Sequence, residues 1–311
     1  MSHRRPLTRM LGAAALVAAL AGCEMPPAPV AAPAAPEVTR PSAASLALSN
    51  YYRAAEQRLL ARGLLRRDGG GPDTPITRAA LVANFERIAL YDEYAVRNGR
   101  FVAQQTPSRL RRWAQPVRMR AVFSDAVPAA QEATDRANLA RYAERLSRLT
   151  GHPISVTQGG NANYHVLFLD ADSQRGAEPL LRSLVPGIDP ATVASITGMD
   201  RYTYCSVYAF SDRTNPDTYV AAIAVIKAEH PDLLRLSCLH EELAQGLGLA
   251  NDSPAARPSI FNDDEEFALL TTHDEILLSI LYDPRLRPGM TPAEARPIVT
   301  RLAAEKLGGD S

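Results

Sequence analysis

Between residues 116 and 247 the apolar residues switch repeatedly between a period of two and a period near 3.6. That succession limits the fold more than any other feature of the chain. Residues 116–123 (Pro-Val-Arg-Met-Arg-Ala-Val-Phe) alternate like a half-buried strand. Residues 128–149 place Leu139, Tyr142, Leu146 and Leu149 on one helical face, and Gly151 follows as a stop. Short apolar runs at 154–157 and 164–170 predict two strands separated by the Gly159-Gly160 turn. Helices are expected at 174–184 and 190–196. A hairpin then joins 202–210 to 219–226 across the polar loop 211–217, and a helix over 233–247 is closed by Gly248. Further helices cover 273–281 and 292–306. The sum is an α+β domain, a mixed sheet backed by helices with a mostly helical C-terminal part.

Upstream the pattern is helical. Residues 45–64 carry Leu46, Tyr51, Ala55, Leu59 and Leu60 near helical spacing, and residues 76–96 predict a second helix. The breaker Arg67-Asp68-Gly69-Gly70-Gly71-Pro72 separates them. This pair is read as an N-terminal helical extension, 44–111, ahead of a main domain at 112–311. The arginines between 109 and 112 read as a solvated helix face or a loop.

The first residues have the three parts of an export signal. Arg4, Arg5 and Arg9 supply positive charge, and residues 11–20 are an apolar run too short to anchor across a bilayer. Leu20-Ala21-Gly22-Cys23 follows, and this arrangement resembles the lipobox of bacterial lipoproteins. The resemblance implies a signal peptide at 1–22 and acyl chains, palmitate among them, on Cys23. The membrane is then a partner. Glu24 in place of Asp favours the periplasmic face of the outer membrane within the bacterial envelope. The Pro/Ala-rich stretch 23–43 reads as a tether that cannot bury enough surface to fold.

With 34 Lys+Arg against 34 Asp+Glu, interspersed along the chain, nothing points to nucleic acid. Of three cysteines, Cys205 and Cys238 remain for an oxidising compartment. There the pair reads as a disulfide that pins a helix to the sheet, rather than as a metal site.

One stretch carries chemistry, Cys238-Leu239-His240-Glu241-Glu242-Leu243-Ala244-Gln245-Gly246-Leu247-Gly248-Leu249-Ala250-Asn251-Asp252. Glu241 and Gln245, four apart, share a helix face with Glu242 beside them. Gly248 permits a reversal that swings Asn251 or Asp252 back toward that face. The spacing resembles the zinc peptidase helix with altered ligand types. Laid on His-Glu-x-x-His and its metzincin extension, Glu241, Gln245 and Asn251 stand at the three ligand positions. Glu242 stands at the general base and Gly248 at the turn. Zinc favours imidazole, thiolate and carboxylate, so the amides are poor ligands. Calcium, magnesium or manganese would want more carboxylates than one helix turn supplies. No cofactor is therefore assigned, and zinc or another divalent metal would meet a degenerate ligand set.

The remaining histidines have plainer readings. His240, whose neighbour four residues on is Ala244, reads as a surface or capping residue. His165 is packed or edge-exposed, His230 lies in a turn before Pro231, and His273-Asp274-Glu275 starts a helix.

The order of elements from 113 to 249 is similar to that of zincins, which place an antiparallel edge strand before the active-site helix. Residues 270–282 resemble the closing helix of matrixin-like zincins, while 258–261 lacks the methionine of their methionine turn. Together with Ser259-Ile260-Phe261-Asn262-Asp263 and Leu281-Tyr282-Asp283-Pro284-Arg285-Leu286, the helix looks like the bacterial family called domain of unknown function 2927. The resemblance spans about 112–290. It implies a zincin-like fold and brings no established substrate. The expected function is a pseudo-metallopeptidase that binds or scaffolds an envelope protein or peptide. The alternatives are an atypical envelope hydrolase with Glu242 as general base, and a purely structural lipoprotein whose acidic helix face is only solvated.

Overall fold

The computed structural model describes residues 40–97 and 100–308, and for 93–97 and 100–104 it describes the backbone alone. The expected signal peptide at 1–22, Cys23 and nearly all of the stretch read as a tether lie outside the described residues. The first helix, α1 (Ala43–Ala61), starts where Ser42 accepts a hydrogen bond from the Ser45 amide. The second, α2 (Arg78–Ala89), is capped in the same way by Thr77.

The helix expected over 76–96 is shorter than its pattern suggested. After Leu90 the chain becomes β1 (Tyr91–Arg97), paired antiparallel with β2 (Arg100–Pro107) from Tyr91↔Pro107 to Arg97↔Arg100. The N-terminal part is thus two helices and a hairpin. Tyr91, Tyr94 and Val96 are residue types that favour strands, and the pairing with β2 outweighs the helical spacing before it. Of the two readings of the arginines at 109–112, the loop holds for 109–111 and the solvated helix face does not. Arg111 pairs with Asp92, and Arg112 bonds the Leu281 and Leu286 carbonyls.

A short β3 (Arg112–Trp113) leads into the main sheet. There β4 (Val117–Phe123), β5 (Ile154–Val156) and β6 (Tyr164–Leu169) run parallel, with α3 (Ala129–Thr150) crossing from β4 to β5. Gly151 ends α3 in the left-handed region at φ 65°, as its position predicts. Three short helices follow β6, namely α4 (Ala171–Arg175), α5 (Glu178–Leu184) and α6 (Pro190–Thr197). Then comes the expected hairpin of β7 (Cys205–Ser211) and β8 (Thr218–Lys227). The strand sequence across the sheet is β5, β4, β6, β8, β7, all parallel except β7, with β3 parallel to β8.

The two faces of this sheet explain its central strands. Tyr164, Val166 and Phe168 of β6 and Ala222, Ala224 and Ile226 of β8 enter the larger core, beneath α3 and α7 (Asp232–Gln245). Leu167, Leu169, Ile223 and Val225 enter a second cluster under α5 and α6. Strands covered on both sides must be apolar at consecutive positions, hence the unbroken runs Val-Leu-Phe-Leu in β6 and Ala-Ala-Ile-Ala-Val-Ile in β8. The C-terminal helices α8 (Thr272–Leu281) and α9 (Pro292–Lys306) start with capping boxes at Thr271 and Thr291. The architecture is α+β, a mixed sheet flanked by helices with helical elements at both ends.

Candidate functional site

The helix α7 is fixed by its backbone before any of its side chains is considered. Four aromatic donors bond its carbonyls and those of the turn after it. The Tyr142 hydroxyl donates to His240 O at 2.7 Å and Tyr164 to Glu242 O at 2.7 Å. Trp113 Nε1 donates to Gly246 O at 2.8 Å and Tyr282 to Leu247 O at 2.9 Å. A methyl group on Gly246 would overlap the Tyr164 hydroxyl, so glycine is required there. Gly248, at φ 125°, passes against the Arg111 carbonyl and turns the chain back. Near the start of α7 the buried guanidinium of Arg235 pairs with Asp135 at 2.7 Å. A disulfide between Cys205 and Cys238, Cα atoms 5.8 Å apart, ties α7 to β7 as expected.

With α7 held this way, its acidic face floors a cleft of about 1010 Å³. Glu241, Glu242 and Gln245 line the floor, β7 forms one wall, and Asp252 closes the end. Glu242 is 4% exposed, whereas Glu241 and Gln245 are half-buried. The face thus lies in a cleft and is not fully exposed. The reversal at Gly248 returns Asp252 to the helix, where Gln245 Nε2 donates to its Oδ1 at 3.0 Å.

Asn251 does not follow. It is fully buried away from the cleft, its amide donating to Arg87 O at 2.8 Å and its backbone N–H to Ile88 O at 3.1 Å. The expectation that Asn251 stands among the ligands is corrected accordingly, since its side chain fastens the end of α2. Its neighbour takes the cleft position. His240 is corrected too. It is a core residue, stacked on Tyr142 with ring centroids 4.0 Å apart, and its Nδ1 accepts from the Leu270 N–H at 3.1 Å. Burial pushes its imidazole down to about 3.

Two carboxylates missing from the expected set complete the lining. Asp263 and Glu265 sit at φ 62° and 59°, in the left-handed region that non-glycine residues seldom occupy. The loop is pinned because the Leu65 N–H donates to Glu265 O, and the Arg66 N–H to Glu266 O, both at 2.8 Å. The Asp-Asp-Glu-Glu run at 263–266 was the visible signal, but sequence does not say which of the four turn inward.

Burial, reinforced by Glu242, Asp252, Glu265 and Asp263, raises the Glu241 carboxyl well above its ordinary range. Burial likewise raises Glu265, with Asp263 and Asp264 adding to the shift. The lining also includes the aromatic residues Tyr51, Tyr202, Tyr204 and Tyr208.

These residues do not fit a resident zinc ion in the metzincin arrangement. The second ligand position is an amide engaged with Asp252, and the third is buried elsewhere. A different set does converge, with one donor atom each from Cys205, Glu241 and Glu242 lying within 4.8 Å of one another. Its sulfur is bonded to Cys238 and is not a thiolate. It is a degenerate metal-site-like cluster.

The fold and cleft define an α+β domain whose site is an acidic groove between a helix and an antiparallel edge strand. Residues 78–301 match the family described as "Protein of unknown function (DUF2927)", and the chain belongs to that family. The match begins at α2, so the hairpin and second helix are part of the shared unit. Neither a curated protein nor a solved structure matches the chain.

Proposed function

We propose that the chain is a lipid-anchored envelope lipoprotein whose zincin-like domain holds a partner segment in its cleft without cutting it. The observation that carries this reading is the bond from Gln245 to Asp252. It engages the second ligand position of the metallopeptidase pattern with a carboxylate of the same cleft, where a metallopeptidase would turn that position toward a metal. The zincin-like part is supported by the strand order, by the antiparallel β7 beside the cleft, and by the placement of α7 directly after β8.

The strand β7 pairs with β8 on one side only, among the described residues. An exposed strand edge receives an extended segment by backbone pairing, with side chains falling alternately into and away from the groove. The acidic floor favours positive charge on that segment. Lipid anchoring is supported by Arg4, Arg5, Arg9 and the Leu20-Ala21-Gly22-Cys23 sequence, and the outer membrane by Glu24. Among the described residues, no helix is long and apolar enough to cross a membrane.

Elemental analysis of purified, metal-replete oxidised protein, together with complementation of a deletion by Glu242→Ala, tests the reading. The expected result is zinc far below one equivalent and full complementation. Stoichiometric zinc, with proteolysis lost in Glu242→Ala, would overturn it.

A second reading, an envelope hydrolase with Glu242 as general base, is favoured by the raised Glu241 carboxyl. Two adjacent carboxyls whose environments differ are the pairing that acid–base hydrolysis uses. Full complementation by Glu242→Ala eliminates it.

A further inference from the structure

The Cys205–Cys238 disulfide does more than join two elements, because it lies in the lining of the cleft beside both glutamates of the floor. We propose that two-electron reduction of this disulfide creates a divalent-metal site from the Cys205 thiolate and the carboxylates of Glu241 and Glu242. The donor atoms already lie within 4.8 Å of one another. Zinc bonds of about 2.3 Å to sulfur and about 2.1 Å to oxygen would set tetrahedral donors about 3.6 Å apart, within reach of small side-chain rotations. In the oxidised state the same sulfur is neutral and divalent, and a poor ligand. Three protein donors of this type leave a fourth position for water.

The donors stay together after the bond opens. Cys205 is held at the start of β7 by its pairing with Ile226, one of a continuous run of pairs reaching Phe210↔Ala221. The helix α7 is held by the aromatic donors to its carbonyls and by Arg235 with Asp135. Neither restraint includes the disulfide. Access is from the cleft, where Cys205 is half-buried while Cys238 is 3% exposed.

The reductant is a dithiol. Its thiolate attacks one sulfur to give a mixed disulfide, and its second thiol displaces that. One external disulfide forms and two cysteine thiols are released. Metal binding then expels the Cys205 proton, and any proton on the two carboxyls, to solvent.

The inference does not rest on the zincin-like reading, since Gln245, Asn251 and Asp252 take no part. The two fail separately, because zinc bound by oxidised protein would overturn that reading, whereas this one concerns only what reduction adds.

The test uses the full chain with Cys23→Ser, so that only this pair supplies sulfur. Zinc affinity is measured by competition with a chromophoric chelator, before and after reduction with a phosphine. Cobalt(II) then reports sulfur ligation through its thiolate-to-metal charge-transfer band. Reduction is expected to tighten zinc binding on the order of 100-fold and to bring up the band. Cys238→Ser should bind zinc and show the band without reductant, and Cys205→Ser should show none under either condition. Glu241→Gln or Glu242→Gln in the reduced protein should weaken binding on the order of 10- to 100-fold. Equal affinity in both redox states, absence of the band in both reduced protein and Cys238→Ser, or its persistence in Cys205→Ser overturns the proposal. So does loss of the folded circular-dichroism signal on reduction, because the donors would then not be assembled.

Discussion

Gln245 donates its side-chain amide to the Asp252 carboxylate at 3.0 Å across the turn that Gly248 makes. A carboxylate in place of that amide would face Asp252 at hydrogen-bond distance. Gln245→Glu is therefore expected to cost about 1–3 kcal/mol at pH 7, and most of the loss should return near pH 5 once the pair shares a proton. Denaturant unfolding at the two pH values checks this. An equal loss at both would mean that the effect is steric.

The position of Asn251 makes it a structural residue. Asn251→Ala removes the amide that satisfies Arg87 O and leaves a void at a fully buried site. A loss of about 1–3 kcal/mol in unfolding free energy is expected. Asn251→His should be no gentler, because an imidazole has no room there. Zinc content should not rise in either variant.

Gly246 offers a sharper steric test. Gly246→Ala forces its methyl group into the Tyr164 hydroxyl, which bonds Glu242 O. Destabilisation of about 1–3 kcal/mol is expected. Tyr164→Phe alone gives up one hydrogen bond, about 1 kcal/mol, and in combination it should relieve part of the Gly246→Ala defect. A thermal-unfolding double-mutant cycle reads the coupling.

Much of this architecture was legible in the chain. The strands at 116–123, 154–157 and 164–170, the β7–β8 hairpin, α3 with its Gly151 stop and the final helix followed from periodicity and terminators, while the parallel pairing did not. Adjacent Glu241 and Glu242 and the Gly248 turn followed from helical spacing. What was not legible depended on direction after a turn. Spacing alone brought Asn251 and Asp252 equally close to the helix, and the bond from Asn251 to α2, distant in sequence, decides between them. The cleft positions of Asp263 and Glu265 depend on positive φ angles, which their residue types do not announce. The hairpin at 91–107 was hidden by a helical pattern that ran past its true end.

The acidic cleft and the buried histidines give opposite pH dependences. The Glu241 carboxyl is raised in the folded protein by burial and then by its acidic neighbours. Folded protein therefore holds this proton where unfolded chain has released it. The associated stability is present below the ordinary glutamate value and is lost as pH rises through the raised one. Glu241→Gln should accordingly gain stability relative to the unaltered chain as pH climbs from 4 toward neutrality. Unfolding curves across that range measure the difference, and a constant difference would refute the assignment.

The imidazoles of His230, His240 and His165 are pushed down by burial, to about 4, about 3 and about 4. Here the unfolded chain takes protons that the folded protein refuses. Their contribution is complete above the ordinary value of 6.5 and is lost as pH falls toward 4. His240→Gln should flatten the acid limb of the stability profile. An unchanged limb would mean that His240 is protonated in the fold.

The aromatic hydroxyls and indole that grip the carbonyls of α7 do so through main-chain atoms and are indifferent to what its outward side chains are. Such a mounting separates the frame from the chemistry displayed upon it. Residues at the groove floor can be exchanged for histidine, amide or acid while the rod beneath them stays in register. A protein built this way can lose one activity and acquire another without having to relearn how to fold.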